Sequence, residues 1–234
     1  MLSFVPLASS SAGNSFKISD GSTSVLMDAG LRFGDLQKAL EFRLSSIDGV
    51  LLSHSHGDHS KSIKELAKRG VNIYGLQATF DAIGLTGHRA ISIEPKQQFR
   101  IGSLIILPLD TQHDVPSLGF VIATEQRDKL FVATDTFYVR YKIDGLTHIA
   151  IECNYSIDTL DENIANGRVP QMMRGRLLKS HFSLEHVKDF LRANDLSKLQ
   201  EVHLLHLSDS NGDEERFKRE IQEIVGKPVM VAKR

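Results

Sequence analysis

The chain has no tryptophan and one cysteine, Cys153, among 234 residues. A lone thiol cannot build an internal disulfide framework, so stability must come from a packed core, and a reducing compartment is indicated. No apolar run approaches the roughly 20 residues that a membrane-spanning helix needs. Met1-Leu2-Ser3-Phe4-Val5-Pro6 shows no basic region ahead of an apolar core, so no signal peptide is read there. A cytoplasmic protein without a membrane role is the expectation. Charge of one sign is lacking too: 28 Lys and Arg against 29 Asp and Glu leave a formal net charge of −1. That excludes the electrostatic footprint of tight, indiscriminate duplex binding, while a local basic patch stays open. Repeats, low-complexity tracts and Pro/Gly/Ser linkers are absent as well. Hydrophobic residues make up 41% and charged residues 24%, ordinary values for one soluble α/β domain over residues 1–234.

What is present is concentrated in Leu51-Leu52-Ser53-His54-Ser55-His56-Gly57-Asp58-His59-Ser60. Three histidines and an aspartate fall within six positions, directly after the apolar run Gly49-Val50-Leu51-Leu52. Such a run reads as a buried strand, which places the cluster in the loop at its carboxyl end. Side chains two apart in extended backbone point the same way, so His54 and His56 can converge on one ion. Gly57 permits a reversal, after which Asp58 and His59 can turn toward a second. Imidazole and carboxylate ligands indicate zinc, with manganese or iron as alternatives.

Polar residues recur at other predicted strand ends. Phe16–Ile18 and Ser24–Met27 read as a hairpin, and Asp28 closes its second strand, as an orienting group for the metal loop in preference to a direct ligand. Ser9–Ser15 reads as a small polar loop, and Phe33–Phe42 and Ser62–Arg69 as amphipathic helices. A helix is also predicted over Thr79–Leu85, with His88 at the surface. Ser103–Leu109 is a buried strand that delivers His113, a third ligand for the first ion. Lys129–Ala133 delivers Asp135, placed either to bridge two ions or to cap a helix. Thr147–Asn154 ends on Glu152, and Val202–Ser208 on His206, with His203 packed or at the surface. Ser183 is a predicted N-cap for a helix over Leu184–Leu191, just after His181. Arg168, Arg174, Arg176 and Lys179 form the one locally basic stretch; it suits phosphate oxygens or a solvated helix face about equally.

Asp28, the HSHGDH string, His113, Asp135 and His206 resemble, in order, the successive motifs of the metallo-β-lactamase superfamily. The resemblance covers essentially the whole chain and implies an αββα sandwich within the α/β class. It implies two divalent ions, one held by His54, His56 and His113, the other by Asp58, His59 and His206, with Asp135 bridging. Ile151-Glu152-Cys153-Asn154 and Lys179-Ser180-His181-Phe182-Ser183 look like elements of the phosphodiesterase branch. There the histidine gives a proton to the leaving oxygen and the glutamate holds it, so Asp58, His181 and Glu152 become the catalytic candidates. Ala8–Ser15, Glu152-Cys153-Asn154 and His206-Leu207-Ser208 look most like the YycJ/WalJ type of DNA exonuclease. Ser62 departs from the glycine usual in that type, and Ser180 and Phe182 replace Gly and Leu beside His181.

The resemblance therefore implies a phosphodiesterase acting on a DNA end or single strand, with a homodimer among the expected states. Alternatives are a phosphodiesterase for cyclic nucleotides, a lactonase or thioesterase with the same metals, and a non-catalytic binding module on the same scaffold. The lactonase would not need His181 and Glu152.

Overall fold

The computed structural model describes residues 1–232. The chain folds as two compact units, one of Met1–Asp110 with Val115–Lys129, the other of Thr111–Asp114 with Leu130–Ala232.

In the first unit, β1 (Ser3–Ser10) and β2 (Gly13–Ser19) pair antiparallel, and β3 (Ser24–Met27) adds antiparallel to β2. Then follow α1 (Phe33–Ala39), β4 (Gly49–Leu51), α2 (Gly57–Ser60), α3 (Ile63–Lys68), β5 (Ile73–Gly75), α4 (Gln77–Ile83) and β6 (Ala90–Ser92). The six strands lie in sequence order, and those from β3 to β6 are parallel. Parallel strands need helical crossovers, and the amphipathic α1, α3 and α4 supply them. Leu26, Val50 and Ile73 of the strands pack with Leu36, Ile63, Leu66 and Phe80 of those helices, all essentially inaccessible. Each such side chain stabilises the unit by roughly 1.5–3 kcal/mol on burial. Next come β7 (Phe99–Ile101), β8 (Leu104–Thr111) and β9 (Ser117–Ala123), neighbours in that order.

The second unit is a parallel array of β10 (Lys129–Ala133), β11 (His148–Glu152), β12 (Glu201–Leu205) and β13 (Val229–Val231). Its helices are α5 (Ile157–Ala165), α6 (Gln171–Ser180), α7 (Leu184–Ala193) and α8 (Glu214–Val225). Ser183 caps α7 by accepting from the His186 amide, and Asp213 caps α8 by accepting from the Arg216 amide. Gly226 ends α8 in the left-handed region at φ 60°, where glycine has no Cβ to clash.

Parallel strands bring their carboxyl ends to one side, where open α/β sheets build their sites. In the first unit β3 and β4 deliver Asp28 and the His54–His59 loop there. In the second, β10, β11 and β12 deliver Asp135, Glu152 and His206.

The Ser9–Ser15 tract is not a loop. It is the tight corner of the β1–β2 hairpin, with Asn14 and Ser15 fully buried. Small polar side chains sit inside because partners meet them; the Ser15 hydroxyl donates to the Asp28 carbonyl at 3.0 Å.

Candidate active site

The metal loop is held from below by the end of β3. The Asp28 carboxylate accepts from the Ser53 amide and hydroxyl, both at 2.8 Å, and lies 2.7 Å from His59 Nδ1. Asp28 thus touches a histidine, not another acid, and with Nδ1 engaged, coordination by His59 would run through Nε2. The Ala29 amide donates to the His59 carbonyl at 2.8 Å, and the Ser62 amide donates back to the Ala29 carbonyl. Gly30 is required here: a Cβ would sit 1.5 Å from the Asp58 carbonyl oxygen. Ser62, where the resembling type has glycine, is accommodated by donating its hydroxyl to the Leu31 carbonyl at 2.5 Å.

His54 is fully buried, with its Nδ1 2.9 Å from the Ser53 hydroxyl and its Nε2 3.1 Å from His56 Nδ1. Nitrogens bound at about 2.0–2.1 Å to a tetrahedral zinc lie roughly 3.4 Å apart, so this pair fits one shared cation. Asn14 Nδ2 lies 3.1 Å from His59 Nε2 and 3.3 Å from Asp58 Oδ2. Its Oδ1 is buried without a partner among the described residues. Asn14 is a site residue that the sequence reading left inside a polar loop. The signal was available in its place between small residues that pack inward.

In the second unit Glu152 is the organising group. It is fully buried, and its Oε1 lies 2.6 Å from His181 Nδ1 and 3.0 Å from His206 Nδ1. Its Oε2 accepts from the Thr136 amide at 3.0 Å and the Phe182 amide at 3.2 Å. Burial would raise its carboxyl pKa. His181 and His206 outweigh that and hold it below the ordinary range, so the group is a carboxylate and an acceptor. His206 shows the converse balance. Burial would lower its pKa, yet Asp135, 3.4 Å away, and Glu152 hold it above the ordinary value. Two carboxylates thus favour positive charge at this point, which a bound cation would also supply. His113 donates from Nδ1 to the Ser180 carbonyl at 3.0 Å, and burial lowers its pKa, keeping it in the neutral form that coordination needs.

Ligand-type atoms of Asp135, Glu152, His181 and His206 lie within 4.8 Å of one another. Asn154, missed in the sequence as a site residue, donates to the His206 carbonyl at 2.7 Å. Asp28, Asp135 and His206 all have positive φ, 59°, 45° and 53°. Backbone of that kind in non-glycine residues concentrates at functional sites, and Asp and His tolerate it better than most.

The basic stretch is divided in its contacts. Arg174 forks onto Asp161 at 2.6 and 3.2 Å, whereas among the described residues Arg176 and Lys179 on the same helix make no ion pair. His88 is exposed, and His203 is buried against Glu201 at 3.0 Å.

Carboxylate-oriented histidines at the ends of parallel strands define a metal-dependent hydrolase. A model of the beta-lactamase superfamily domain matches residues 23–155, more than half of the chain, which belongs to that family. Exodeoxyribonuclease YycJ of Bacillus anthracis is 26% identical over 243 residues, covering 96% of this chain and 89% of the relative. Exodeoxyribonuclease WalJ of Streptococcus pneumoniae is 25% identical over 224 residues, covering 89% and 82%. The metallo-β-lactamase fold protein YhfI from Bacillus subtilis superposes with a TM-score of 0.78 at 21% identity, over 100% of this chain and 97% of its own. At that identity the likeness speaks for the fold, which is the αββα class read from the sequence. The family implies divalent metal ions, and the donor set described above fits them.

Proposed function

We propose that the chain is a dinuclear-metal phosphodiesterase that degrades DNA from an end or single strand. The observation that carries this reading is the His181–Glu152 pair, 2.6 Å apart, with the glutamate buried. A thioester releases a thiolate that leaves without such an acid, whereas a nucleotide oxygen leaves poorly without a proton. The names of the YycJ and WalJ relatives support a DNA substrate.

In this reading His54, His56 and His113 would hold one ion, Asp58, His59 and His206 would hold the other, and Asp135 would serve both. Zinc fits the imidazole-rich set, and manganese is the alternative. Two such ions, when bound, supply an activated water and neutralise charge on the phosphoryl oxygens. Asp58 doubles as the carboxylate that orients the attacking water. His181 Nδ1 is held by Glu152, so its Nε2 carries the proton for the leaving oxygen. Glu152 favours the imidazolium form and fixes the ring.

The test is to incubate metal-loaded protein with end-labelled single-stranded DNA, cyclic nucleotides and a lactone panel. Progressive shortening of the DNA is the expected result. Turnover of lactones alone would refute the phosphodiesterase reading, and turnover of cyclic nucleotides alone would move the substrate to the small ring.

A further inference from the structure

The segment Tyr138–Lys142 and α7 from His186 to its end at Ala193 line a groove of ≈ 370 Å³, with Phe182 ahead of the helix. That falls within the range of about 300–1,000 Å³ typical of small-ligand sites. Both walls connect to the His181–Glu152 pair. The Thr136 and Phe182 amides donate to the same Glu152 oxygen, and Thr136 Oγ1 donates to the Tyr138 carbonyl at 3.0 Å. Phe182 and Phe190 pack behind the groove at 1% and 5% exposure, while Tyr138, also in the lining, is 53% exposed. Arg140 and Lys142 line the same wall, with the Arg140 guanidinium 5.9 Å from the centroid of the Tyr141 ring. Asp189 is the single carboxylate among the lining residues.

We propose that this groove is a nucleoside subsite that takes the base and adjoining phosphate of the nucleotide on the leaving side of the scissile bond. The proposal rests on the phosphodiesterase reading above and assigns its substrate a place. The exposed Tyr138 ring offers a π-face to any base, and the cationic Arg140 and Lys142 in the same segment suit a phosphodiester backbone. Phe182, which lines the groove, is next in the chain to His181, and Tyr138 stands two residues after Thr136, whose amide donates to Glu152. Base stacking without hydrogen-bond readout makes the subsite tolerant of sequence.

The test is fluorescence anisotropy of metal-loaded protein with a labelled phosphorothioate oligothymidylate, which resists cleavage, and with an abasic phosphorothioate of equal length. The wild type should bind the thymidylate more tightly. Tyr138→Ala should weaken that binding roughly tenfold and leave the abasic strand nearly unaffected, whereas Tyr138→Phe should retain stacking. Lys142→Ala should weaken both strands alike. Metal content and thermal unfolding should stay at wild-type values in all three variants, so that a change in binding is read at the groove and not in the fold. Equal binding of thymidylate and abasic strands by the wild type, or wild-type binding by Tyr138→Ala, would overturn the subsite even if DNA is hydrolysed. A wild type that cleaves bis-p-nitrophenyl phosphate but no DNA would instead refute the nuclease reading, and the subsite with it.

Discussion

Asp28 Oδ2 and His59 Nδ1 lie 2.7 Å apart with both side chains fully inaccessible to solvent. The carboxylate also takes the Ser53 amide and hydroxyl, so its geometry is fixed from three directions. Such an orienting group raises the basicity of the other ring nitrogen and sets the ring plane. Asp28→Asn should therefore weaken binding of the second ion about 10–100-fold and leave the first nearly unchanged. Calorimetric titration of metal-stripped protein measures both affinities. Unchanged binding of both ions would contradict the role.

Asp135 should act on both positions. Protein purified without chelator should carry close to two ions per chain by elemental analysis. His54→Ala and His56→Ala should each empty the first position, and Asp135→Ala should weaken both. Full occupancy in Asp135→Ala would remove the bridging role.

The basic face of α6 gives a salt-dependence test. Arg174 already spends its fork on Asp161, so Arg176 is the better candidate for substrate phosphate. Arg176→Ala should raise KM for a polynucleotide and lower its log–log salt slope by about 1, as one phosphate contact is lost. A minimal chromogenic phosphodiester should be turned over at the wild-type rate. Equal losses on both substrates would place the effect in folding or in the active site.

Cys153 tests the packing around β11. The thiol is fully buried, and burial, with Glu152 and Glu185 adding to it, pushes its pKa well above the ordinary value. A thiol reagent should leave native protein unlabelled and react once denaturant is added. Rapid labelling of the native state would contradict the buried β11 end.

Much of this arrangement was legible in the sequence because apolar strands ending in polar residues are a local signal. Val50–Leu52 before His54, Phe131–Ala133 before Asp135 and Leu204–Leu205 before His206 all read that way. The Ser183 cap and the helix after it were readable for the same reason. Partners distant in sequence were not readable. Nothing near Arg174 announces Asp161 thirteen residues earlier, since their meeting depends on how α5 and α6 pack. Asn14 lay hidden because Ser9–Ser15 has turn composition, yet strand pairing and the buried Asp28 carbonyl override it. The three-residue β6 and β7 are too short to show a period.

The most direct test of the proposed chemistry is the leaving-group dependence of His181. If Glu152 holds it to protonate the leaving oxygen, its value depends on how much that oxygen needs a proton. A nucleotide alkoxide leaves poorly, so His181→Ala should lower kcat on DNA by about 10²–10⁴-fold. A p-nitrophenolate leaves unaided, so bis-p-nitrophenyl phosphate should lose far less, with metal content unchanged in both assays. Glu152→Gln should show the same split more weakly. Equal losses on DNA and on the p-nitrophenyl ester, or loss of metal from His181→Ala, would contradict the assignment of His181 as the proton donor.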